Sequence, residues 1–141
     1  MATAIGLAAS APSYAGQAGH EIIGNWKFTS VLDGVDIAQM DEKQAQHLLG
    51  RVMTIRKDGI RFGDERCGAD DFEVKRVEPN LYLDSEARIS AAKLYLPNPV
   101  TVVDTGCTQV FIKKPNKVVI FWNGFFFDAV RVPDSPGSKH R

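Results

Sequence analysis

The stretch Lys117-Val118-Val119-Ile120-Phe121-Trp122-Asn123-Gly124-Phe125-Phe126-Phe127-Asp128-Ala129-Val130-Arg131 decides the fold. Asn123-Gly124 between two apolar runs predicts a two-residue hairpin loop, because both central residues of such a loop take positive φ and Asn and Gly do so at least cost. That loop sets a register in which Trp122 faces Phe125, Ile120 faces Phe127 and Val118 faces Ala129. The same parity carries Arg131 onto that inward face. It puts Phe121, Phe126, Val119, Asp128 and Val130 on the opposite face, which Asp128 marks as the outer one. An inward guanidinium at the end of a strand needs a partner. Trp26, on the apolar face of the run 24–31, can supply it if the first and last strands are neighbours, since arginine stacks on an indole.

Working outward from this hairpin, the period of two recurs along the chain. Residues 52–56 and 60–62 flank Lys57-Asp58-Gly59 as a second hairpin, and 108–114 pairs with 117–122 around Pro115-Asn116. Residues 72–78 and 81–84 read as a shorter hairpin turning at Pro79-Asn80, 100–105 as a further strand, and Asp33-Gly34 as the turn that ends the first strand. Two short helices are expected between strands, at 41–50 with Asp41 as cap and Gly50 as stop, and at 85–95 with Ser85 as cap and Pro97 beyond its end. Parallel strands need helical crossovers and none is visible, so the sheet is antiparallel. The fold class that follows is all-β, an antiparallel up-and-down barrel of about eight strands with one or two short helices between strands.

Length and charge narrow the function classes. A chain of 141 residues fits one domain, and 17 basic residues against 17 acidic ones leave no positive field for a nucleic acid. Residues 1–15 carry no charge and end in Ser13-Tyr14-Ala15, a small-x-small pattern expected of an export signal cleaved before Gly16. The run is too short for a membrane span, which needs about 20 apolar residues. One barrel domain over 16–132 and a disordered tail over 133–141 complete the organisation, in a periplasmic or secreted protein. In an exported domain Cys67 and Cys107 are expected to pair, and two buried free thiols are the alternative.

Gly24-Asn25-Trp26 at the first strand, with Arg131 near the end of the last, resembles the lipocalin-like (calycin) small β-barrel family. In that family a GxW motif and a closing arginine pack together at the closed end. The resemblance implies structural roles for Trp26 and Arg131 and an up-and-down barrel around them. This chain departs from the family in lacking a later turn motif and a helix after the barrel, and in placing its helices between strands.

Catalysis is poorly provided for. His20 and His140 fall near the chain ends, and His47 has no metal-binding partner at helical spacing. No GxSxG elbow, phosphate-binding glycine loop, HExxH motif or CxxC is present, so no catalytic residue, metal or cofactor is expected and the protein is read as a non-enzyme. The acidic stretch 63–73 lacks the alternate oxygen spacing of a calcium loop and reads as solvated. Lys113, Lys114 and Lys117 read as a basic tip. What remains is binding. Phe28, Met53, Ile55, Phe62, Ile120, Trp122, Phe125 and Phe127 are the inward set expected to line a site for an apolar or amphipathic small molecule, unless they fill the interior themselves. The alternative is a periplasmic inhibitor or immunity-type protein that binds a secreted hydrolase. Phe121 and Phe126 are either covered by the helix at 85–95 or form an interaction face, as in a homodimer.

Overall fold

The computed structural model describes residues 18–68 and 71–133, so the export signal read at 1–15 and the tail from 134 onward lie outside the described residues. Nine antiparallel strands form one curled sheet: β1 (Gly24–Gly34), β2 (Val52–Arg56), β3 (Gly59–Phe62), β4 (Glu65–Gly68), β5 (Glu73–Val77), β6 (Val100–Asp104), β7 (Gln109–Lys114), β8 (Lys117–Trp122) and β9 (Phe125–Val132). They run in the order β4-β3-β2-β1-β9-β8-β7-β6-β5. First and last strands are therefore neighbours, as the Trp26–Arg131 pairing requires. The ladder stops at β4 and β5, which makes the sheet a half-barrel with a seam between those two edges. The Cys67–Cys107 disulfide forms, with Cα atoms 6.1 Å apart, and ties β4 to the loop between β6 and β7 across that seam.

The hairpin register is the one the Asn123-Gly124 turn dictates: Trp122 pairs with Phe125, Ile120 with Phe127 and Val118 with Ala129. Asn123 and Gly124 take φ values of 51 and 93 degrees, the left-handed region that selects this dipeptide. β1 does not turn at Asp33-Gly34. It continues along β9 to the pairs Asp33–Phe126 and Gly34–Phe125, with register shifts between Phe28 and Ser30 and between Val31 and Asp33. Such bulges add a residue on one side of the ladder and bend the strand, which lets an 11-residue β1 follow the curl.

Two cores result, one on each face. Inside, Trp26, Phe28, Met53, Ile55, Phe62, Ile120, Trp122, Phe125 and Phe127 are buried together. Outside, Val100, Val102, Phe111, Val119 and Phe126 are buried beneath Leu83, Ala91 and Leu94. The covering segment corrects the reading of 79–95. Pro79-Asn80 is no hairpin turn; it starts helix α2 (Pro79–Ala87), whose N-terminal N–H groups on Asn80 and Leu81 are accepted by the Glu78 carboxylate. Proline suits the first helical position because its missing N–H would have been unpaired there. Ser85 sits inside α2 and caps nothing; the helix ends at Arg88, in the left-handed region, and a short 3-10 turn (Ala91–Lys93) follows with Ser90 as its cap. The helix expected at 41–50 is the shorter α1 (Glu42–Gln46).

The outer face near Phe121 and Phe126 is thus occupied by the chain's own segment. Phe126 is buried and Phe121 half-buried, so the chain's own segment covers this face in large part. Asp128 does lie on the outer face, but it is buried and accepts from Lys113 Nζ at 2.8 Å, with side chains 12% and 10% exposed. Lys113 accordingly leaves the basic tip to Lys114 and Lys117. Within the acidic stretch, Glu65–Gly68 adds β4 to β3 with Glu65 and Arg66 exposed. Among the described residues, no helix is long and apolar enough to cross a membrane.

Candidate binding site at the mouth of the half-barrel

The two ends of the half-barrel differ. At one end the turn His20–Ile22 and Arg131 close over Trp26, whose indole N–H donates to Ile22 O at 2.8 Å. Trp26 and Arg131 are there as the sequence places them, with the guanidinium carbon 4.4 Å from the ring centroid. The other end is a mouth, ringed by the β3–β4 and β8–β9 turns and the β6–β7 loop. Residues 35–51, linking β1 to β2, cross it.

That crossing segment is held by backbone bonds: Val35 N donates to Gly124 O at 2.8 Å, Gln39 N to Asn123 O at 3.2 Å, and Gly50 N to Phe28 O at 2.7 Å. Between these anchors α1 carries a reciprocal cap, in which Gln44 N donates to Asp41 Oδ1 at 2.8 Å and Asp41 N to Gln44 Oε1 at 2.9 Å. Gly124 keeps the crossing close. A Cβ there would lie 2.4 Å from Ala38 Cβ.

Two cavities flank the crossing and share Gln39, Trp122 and Asn123. The first, of about 420 Å³, has an apolar side of Met40, Leu48, Phe62 and Trp122 and a polar side of Gln39, Gln44, Arg51, Asp64 and Glu65. The second, of about 370 Å³, is bounded by Val35, Ile37, Thr108, Phe121, Trp122 and the disulfide. The arrangement offers an aromatic wall, hydrogen-bonding amides and one guanidinium beside two carboxylates. Among the described residues no three His, Cys, Asp or Glu side chains converge as metal ligands would.

All eight expected lining residues are brought into the inner core, where they chiefly touch one another. Phe28 packs on Phe62 and Phe127 with ring centroids 4.7 and 4.6 Å apart, and Phe62 meets the edge of Trp122 at 5.6 Å. Of the eight, Phe62 and Trp122 reach the first cavity; Trp122, 9% exposed, also walls the second. Phe28, Met53, Ile55, Ile120, Phe125 and Phe127 form the packed floor behind them.

Sequence reasoning missed the polar half of the site, Gln39, Gln44 and Arg51, together with Met40 and Leu48. A signal for α1 was present in Asp41, but nothing in the linear order says over which strand ends a β1–β2 connection lies. No protein-family model matches this chain, and comparison with curated proteins and with solved structures also gives no match.

Proposed function

We propose that the protein is an exported, non-enzymatic binding module that takes an amphipathic small molecule at the mouth of its half-barrel. The observation that carries this reading is the cavity of about 420 Å³, where the inner aromatic core surfaces at Phe62 and Trp122 opposite Gln39, Gln44 and Arg51. Small-molecule sites combine a mostly apolar wall with a few placed polar groups, in volumes of about 300–1,000 Å³. The inner rings act as a rigid floor, so the ligand's apolar part rests on Trp122 and Phe62 and its polar head meets the crossing segment. The disulfide supports a place in an oxidising compartment.

The probe 1-anilinonaphthalene-8-sulfonate tests this reading, since it pairs an apolar ring system with an anionic head. Saturable binding is expected, weakened about fivefold by Trp122→Phe, the equivalent of ~1 kcal/mol of aromatic contact. Arg51→Gln should weaken it further at low salt and little at high salt. Unchanged affinity in both variants, with native melting temperatures, would remove the mouth as the site.

A second reading has one observation in its favour. Ile37, 92% exposed, is held out on the crossing segment, as a loop presenting an apolar residue to a protein target would hold it. Native mass spectrometry of the protein purified gently from the periplasm separates the two. A small adduct lost on denaturation supports the binding module, and a co-purifying hydrolase supports an inhibitor or immunity protein.

A further inference from the structure

A third cavity, of about 260 Å³, opens on the outer face between α2 and the β6–β7 loop. Its floor is apolar, made by Leu83, Phe111, Phe121 and Phe126, and its rim carries Glu86, Asp104 and Gln109. Two of the rim residues, Glu86 and Asp104, are acidic. Asp104 stands directly across the β5–β6 ladder from Glu73, and like charges facing each other on adjacent strands oppose pairing. Among the described residues the ion pair formed is Lys113–Asp128, so Glu73, Glu86 and Asp104 enter none. One oxygen of Asp104 accepts from Gly106 N at 2.9 Å, and Glu86 is exposed on α2.

Beside this rim lies Tyr82. Its hydroxyl is shielded from solvent, with the Gln109 side chain next to it but in no hydrogen bond of acceptable geometry. Burial pushes the Tyr82 hydroxyl upward against the opposing charge of Lys75, and the carboxylates of Glu86 and Asp104 push the same way as burial, so both act on this spot. The ring already holds one ammonium: Lys75 Nζ sits 5.7 Å from its centroid.

We propose that this outer cavity is a site for a small organic cation, with its ammonium head at Glu86 and Asp104 and its apolar tail on Phe111, Phe121 and Phe126. Charge complementarity commits the occupant. Glu86 and Asp104 enter no ion pair among the described residues and, with Glu73, outnumber the Lys75 ammonium beside Tyr82; at the edge of an aromatic floor this favours a group that is positive at one end and apolar at the other. An apolar floor beside two carboxylates favours an organic ion over a metal, since among the described residues no three acidic, His or Cys side chains converge as metal ligands. The site is separate from the first mouth cavity, with which it has no lining residue in common.

The test is a titration of the full chain with 2-phenylethylammonium and with its neutral analogue 2-phenylethanol at low ionic strength, followed by amide NMR shifts. Saturable shifts at Ala87, Gly106 and Gln109 are expected for the cation, with the alcohol at least fivefold weaker. Glu86→Gln, at an exposed helix position, and Asp104→Asn, which keeps an acceptor for Gly106 N, should each weaken the cation several-fold. Neither should alter binding of the anilinonaphthalene probe at the mouth, so this site and that one fail independently. The proposal is overturned by equal binding of cation and alcohol, by variants without effect, or by shifts centred on Met40, Leu48 and Arg51. It is also overturned if a lysine-rich peptide binds at Ala87 and Gln109 while phenylethylammonium does not, for the face would then dock a protein.

Discussion

Arg131→Ala is expected to lower the melting temperature by roughly 10 °C, a loss of ~3 kcal/mol for a domain of this size. The guanidinium does more than stack on Trp26. Nη1 donates to Ile23 O at 2.8 Å, Nη2 to Glu21 O at 2.6 Å and to Pro115 O at 3.3 Å, and Nε to Asn116 Oδ1 at 3.1 Å. One side chain therefore joins the turn before β1, the β7–β8 turn and the last strand, while covering the fully buried indole. Hydrogen bonds from a charged donor contribute about 1.5–3 kcal/mol each when buried and less where water can replace them, as at the exposed carbonyls here. Gly24 belongs to the same device, because a Cβ on it would lie 2.5 Å from Arg131 Nη1. Arg131→Lys should recover less than half of the loss, since a single ammonium cannot fork to acceptors on two separate segments while stacking on the indole. Thermal and urea unfolding of the three proteins check this, and a melting temperature within 2–3 °C of wild type for the alanine variant, a shift worth under ~1 kcal/mol, would show that the closed end does not depend on Arg131.

How much of this was legible before the structure depended on how local the signal was. Asn123-Gly124 sets a register over a whole hairpin, and parity then placed Arg131 beside Trp26 from opposite ends of the chain. Residues 79–84 defeated the same reasoning. Leu81-Tyr82-Leu83-Asp84 alternates like a strand, yet Glu78 caps the run, Pro79 opens a helix, and Leu83 is drawn into the outer core. Short apolar runs fit either period, and here the tertiary need to cover Phe126 and Val119 decided between them. Asp128 misled in a different way. It named the outer face correctly, yet its side chain is buried in an ion pair with Lys113, whose ammonium also lies 5.9 Å from the Tyr95 ring. The aromatic half of the mouth was readable as inward-facing positions. Its polar half was not, since Gln39, Gln44 and Arg51 become neighbours of Trp122 only through the path of residues 35–51 across the strand ends.

Reducing the disulfide, or replacing Cys67 and Cys107 with serine, should remove about 4 kcal/mol, the chain-entropy value for a closed loop of 40 residues. Most of that loss lies in the unfolded chain and would be felt by every element alike. The topology adds a local part. β4 pairs with β3 through four residues and, among the described residues, with no strand on its other side, so the disulfide at Cys67 adds a second tether, across the seam to the loop between β6 and β7. Without it β4 should open independently, and because Glu65 and Asp64 border the mouth, the first cavity should widen with it. Two measurements separate the parts. Urea unfolding with and without a reducing agent reads the total, expected as a lower midpoint and a larger m-value as the unfolded chain expands. Amide exchange reads the rest: protection should fall more at residues 65–68 than at the β8–β9 hairpin, whose strands are paired on both sides. A uniform fall would assign the whole effect to the unfolded state. Stability preserved to within ~1 kcal/mol would instead mean that the inner core alone keeps β4 in place, and that the half-barrel needs no bond across its seam.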